Sequence, residues 1–146
     1  MQTSAASKLV GGLLALTGVL GVVILATDQI LRESLSGSHF YGLIILVIAD
    51  LAVAAYVVAK PSRMTFTLAL AWSVLRIVIQ IADITLAPQI PMSYADFANY
   101  LFNPTLTTVP NSSGVPGALI DLIILLEVIV IGVAWSGRTS TRKTSP

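Results

Sequence analysis

Five ionisable side chains interrupt stretches of chain that are otherwise apolar: Asp50, Arg76, Asp83, Asp121 and Glu127. A charge at the centre of a membrane-spanning helix costs about 2.5–3.5 kcal/mol on insertion scales. Such residues therefore face inward, toward one another or toward water. Two kinds of chemistry fit them. The Arg76 guanidinium, with its fixed fork of donors, suits a bridge between Asp50 and Glu127, with Gln80 serving the remaining acceptors. That arrangement fixes the register of the helices and is the favoured reading. Intramembrane carboxylates also mark proton and cation routes. The excess of acid over the single intramembrane arginine keeps that second reading open.

The remaining chemistry is narrow. The chain has no cysteine, which removes disulfides, thiolate metal sites, iron–sulfur clusters and thiol redox chemistry. It has one histidine, His39, too few for a haem held by two histidines or a multi-histidine copper site. No nucleophile is paired with a base, so no catalytic residue, cofactor or resident metal is expected. The net charge is only +1, so no global field draws in nucleic acid.

The elements that position these groups follow from hydropathy. Of 146 residues, 55% are hydrophobic and 10% are charged. Soluble domains carry about 25% charged residues. Four apolar segments span 8–27, 41–59, 64–87 and 118–135, near the roughly 20 helical residues that a bilayer core requires. The fold class is thus an all-α membrane protein, a four-transmembrane-helix bundle forming one domain over residues 1–146. The first segment is too long for a signal-peptide core and lacks a clear cleavage site, so it is expected to be retained. Asp50, Arg76 and Glu127 fall near the middles of the second, third and fourth segments. Asp83 and Asp121 lie nearer one membrane surface.

Basic residues orient the bundle. Lys8, Lys60, Arg63, Arg138, Arg142 and Lys143 lie toward one side and Arg32 toward the other. The positive-inside rule puts both termini and the Lys60–Arg63 turn in the cytoplasm, in a multi-pass protein of the cell membrane. The tail from Ser136 is polar and basic, and disorder is expected there.

The outer side holds a short loop, 28–40, and a long one, 88–117, with five of the seven prolines. Tyr94, Phe97, Tyr100, Leu101 and Phe102 cluster in the long loop. Residues 92–102 read as a short interfacial helix between the third and fourth spans, capped by Ser93 and stopped at Asn103-Pro104. Long loops are usually functional or disordered, and this composition marks a recognition surface. Asn111-Ser112-Ser113 fits a glycosylation acceptor on that side.

The third segment has the clearest phase. Thr65, Ala69, Ser73, Arg76, Gln80 and Asp83 follow helical steps of three and four and share one face. Asp121 and Glu127 are about 120° apart around their helix and need not share a partner. Small residues form two further faces, Gly11, Ala15 and Gly18 in the first segment and Ala52, Ala55 and Ala59 in the second, where backbones can approach closely. In size and helix count the chain resembles small multidrug exporters, but their carboxylate lies in the first helix, which here has none. The expected role is a non-enzymatic accessory or structural subunit, partnered by the bilayer and by other membrane subunits or copies of itself. The alternative is a small proton- or cation-coupled transporter using Asp50, Asp83 and Glu127.

Overall fold

The computed structural model describes residues 2–27, 38–86 and 114–140, with side-chain surroundings over 5–27, 40–82 and 118–140. All four helices are long and apolar enough to cross a membrane. They are α1 (Gln2–Thr27), α2 (Ser38–Ala59), α3 (Arg63–Leu86) and α4 (Gly114–Ser140). The proposed interfacial helix, the recognition cluster Tyr94, Phe97, Tyr100, Leu101 and Phe102, and Asn111 lie outside the described residues.

The helices form a ring. α1 packs on α2 and α4, α3 packs on α4, and α2 meets α3 more lightly. Outward faces are apolar on every helix, with Val22, Ile48, Val78 and Val128 among the exposed side chains. Lipid accepts such surfaces without penalty, so apolarity alone does not phase these helices.

The turn between α2 and α3 is rigidly built. Pro61 follows the end of α2 and has no N–H to continue it. Ser62 caps α3: its Oγ accepts from Thr65 N at 3.2 Å, and its own N donates to Thr65 Oγ1 at 2.9 Å. This is a reciprocal capping box with Thr65 in place of the usual Glu or Gln. We call this end of the bundle the turn end. The opposite end, where residues 28–37 and 87–113 connect the helices, is the loop end.

α4 runs on through Ser140, so residues 136–140 are helical rather than a disordered tail. Thr139 Oγ1 and Ser140 Oγ donate to Ser136 O at 2.8 and 3.0 Å, and the Arg138 guanidinium lies 5.5 Å from the Trp135 ring. Polar residues thus continue the helix beyond the apolar span that hydropathy detects.

The continuous apolar core occupies the turn-end half. It contains Val10, Leu14, Ala54, Val57, Phe66, Ala69, Val130 and Ala134, drawn from all four helices. Two close approaches shape it. A Cβ on Gly137 would stand 2.7 Å from the Phe66 ring, so the ring lies directly over the α4 backbone. A Cβ on Gly11 would collide with Val58, and one on Gly18 would stand 3.0 Å from Leu51.

Candidate functional site

Above this core, near the middle of the helices, the bundle interior turns polar. Thr17 of α1, Asp50 of α2, Ser73 and Arg76 of α3, and Glu127 of α4 are all fully buried, and Gln80 of α3 is 8% exposed. Each helix contributes, one residue each from α1, α2 and α4 and three from α3. On α3 that face is continuous: Thr65, Ala69, Ser73, Arg76 and Gln80 are all buried.

Asp50 is the best-held group. Trp72 Nε1 donates to its Oδ1 at 2.7 Å, and Arg76 Nε lies 3.4 Å from its Oδ2. The two carboxyl oxygens therefore take donors from consecutive turns of α3. The indole bond is short, as expected for a donor facing a carboxylate in a medium of low dielectric.

The other half of the site is open. Arg76 Nη1 and Nη2, both Glu127 carboxyl oxygens, Gln80 Oε1 and Ser73 Oγ have no hydrogen-bond partner among the described residues. Arg76 thus reaches Asp50 but makes no hydrogen bond to Glu127, unlike the double bridge expected from sequence. Its Nε edge is the part turned to Asp50, with Trp72 taking the second oxygen. Glu127 lies within electrostatic reach of both Asp50 and Arg76, and the Ser73 and Thr17 hydroxyls stand beside it without reaching hydrogen-bond geometry. Buried polar groups left without partners cost roughly 1–3 kcal/mol each. This open half is therefore the chemically unfinished part of the molecule.

The remaining sequence candidates separate. Asp121 is half-buried on α4, toward the loop end from Glu127. Asp83 belongs to the last turns of α3, and its side chain lies outside the described residues. Gly11 and Gly18 are buried against α2, and Ala15 is half-buried. Ala52 and Ala55 are exposed. The face of α2 that meets those glycines carries Leu51, Ala54 and Val58, with Val47 against Gly21. Small residues sit as readily against lipid as against a helix, so the Ala52–Ala55 spacing did not phase α2.

Two members of the site were missed in the sequence. Trp72 stands one turn before Arg76, and an indole N–H at mid-membrane needs an acceptor. Thr17 is the polar residue nearest the middle of α1, and its hydroxyl donates to Leu14 O at 2.8 Å. Both signals were present but quieter than a charge. Among the described residues, no three His, Cys, Asp or Glu side chains converge as metal ligands would. Comparison with family models, with curated proteins and with solved structures gives no match to this chain.

Proposed function

We propose that this integral membrane protein is a non-enzymatic accessory or structural subunit of a larger membrane assembly, and that its inner polar cluster locks the helices in register. The observation that carries the proposal is the inward placement of Asp50, Arg76 and Glu127 on three different helices, all fully buried. Arg76 and Trp72 tie α3 to α2 at the contact where the helices otherwise touch lightly. Electrostatics thus supplies what packing lacks there. In this account the basic turn end, with Lys8, Lys60, Arg63 and Arg138, faces the cytoplasm. The loop 88–117 lies outside in this reading, and its Tyr94, Phe97, Tyr100, Leu101 and Phe102 serve to recognise a partner.

Purification from native membranes in mild detergent tests the role. The proposal expects other membrane proteins to co-purify in fixed stoichiometry. An isolated chain or homo-oligomer that drives proton- or cation-dependent flux in liposomes would overturn it. That outcome would favour the second reading, a small coupled transporter, which draws support from the open carboxyl oxygens of Glu127. Terminal tags should be accessible from the cytoplasmic side alone.

A further inference from the structure

The polar atoms left open around Arg76 and Glu127 differ from an ordinary buried ion pair in number and in kind. Donors are present in the two terminal nitrogens of Arg76, acceptors in Glu127 and Gln80, and a hydroxyl able to act as either in Ser73. A single bound anion would satisfy the nitrogens and repel Glu127. A single cation would do the reverse. Water donates and accepts, and one molecule typically uses two to four polar partners. The mixed set therefore selects water over either ion.

The surroundings give the site a direction. Toward the turn end, the layer directly below it is apolar, with Leu14, Ala54, Val57, Phe66, Ala69, Val130 and Ala134 from four helices, and the buried Ser7 and Thr65 lie beyond that layer. Toward the loop end, polar groups continue. Gln80 is one turn above Arg76 on α3 and retains slight exposure, and half-buried Asp121 is fewer than two turns above Glu127 on α4. The buried apolar residues of that half, Ile24, Val47, Ile123 and Leu126, do not join the continuous core.

We infer that Arg76, Glu127, Gln80 and Ser73 form a hydrated site inside the membrane, filled by water from the loop end and sealed at the turn end by the Phe66 layer. The groups facing Glu127 in this site are Asp50 of α2, Arg76 and Ser73 of α3, and Thr17 of α1. The inference holds whether the chain works alone or within an assembly, so failure of the subunit proposal leaves it standing.

The absence of native cysteine makes the test direct. Single-cysteine variants Ser73→Cys, Gln80→Cys, Ala69→Cys and Ala134→Cys are made in the full chain. Each is treated in sealed membranes with a charged, membrane-impermeant methanethiosulfonate, added from one side and then from the other. Only a hydrated thiol ionises and reacts, so modification at Gln80→Cys and Ser73→Cys should run at least about tenfold faster than at Ala69→Cys and Ala134→Cys. The fast reaction should occur from the loop-end side alone. Variants are compared only where gel filtration shows the same monodisperse peak as the parent, and Ser73→Cys, nearly isosteric, guards against misfolding at Gln80. Equal slow reaction at all four positions, or faster reaction from the turn-end side, would overturn the inference.

Discussion

The two halves of this bundle are held together by different forces. The turn-end half is a dry jigsaw, in which Phe66 lies on the backbone at Gly137 and Val58 fills the space at Gly11. The loop-end half begins at a layer of buried charge and has no comparable apolar core among the described residues. Lipid is as apolar as leucine, so burying apolar surface between helices gains little; packing and hydrogen bonds supply the stability. The turn end uses the first and mid-membrane the second. One short chain is thus packed through apolar contact at one end and through buried polar groups at its middle.

The largest expected effect comes from breaking the polar layer. Arg76→Leu leaves Asp50 and Glu127 buried without their counter-charge. It should lower stability in detergent by about 3–5 kcal/mol, the range for breaking one side of a buried pair. Adding Asp50→Asn and Glu127→Gln should recover part of that loss in a thermal melt. No change with Arg76→Leu alone would mean that the guanidinium bears no load.

Next come the dry contacts. Phe66→Ala removes a fully buried ring from the turn-end core. It should cost about 2–3 kcal/mol, mostly as cavity, because detergent offers the unfolded helices similar apolar contact. Ile123→Ala, fully buried but outside the continuous core, should cost about half as much in the same melt. Equal losses would erase the contrast between the halves.

Close backbone approach gives a smaller effect. Gly137→Val puts a branched side chain into the Phe66 ring and should destabilise by about 1–3 kcal/mol. Gly12, one residue from Gly11, has nothing within 4 Å of an added Cβ, so Gly12→Ala should be neutral or slightly stabilising. Trp72→Phe keeps the ring but removes the donor to Asp50. It should cost about 1–2 kcal/mol.

Much of this was legible in the sequence, and the reasons are physical. Hydropathy marks four spans because lipid tolerates apolar residues on every side. The α3 stripe from Thr65 to Gln80 was readable because polar residues in an apolar helix expose its period. α2 offered no such contrast: its small residues Ala52 and Ala55 face outward, and its inward side is set by α1 glycines that sequence spacing could not assign to it. Residues 136–140 looked like a tail because their polarity ends the hydrophobic signal, although their hydroxyls and Arg138 continue the helix. Trp72 and Thr17 escaped because an indole and a threonine are unremarkable in a membrane helix until an acid or a second helix stands beside them.

In the proposed register lock, Asp50 and Arg76 act as one unit joining α2 to α3. A double-mutant cycle with Asp50→Asn, Arg76→Gln and the double variant, read as unfolding free energy in detergent, tests it most directly. A coupling of about 1–3 kcal/mol is expected, with the double variant more stable than the two single losses would sum to. Additivity within about 0.5 kcal/mol would contradict it, showing that the two side chains are neighbours without being partners.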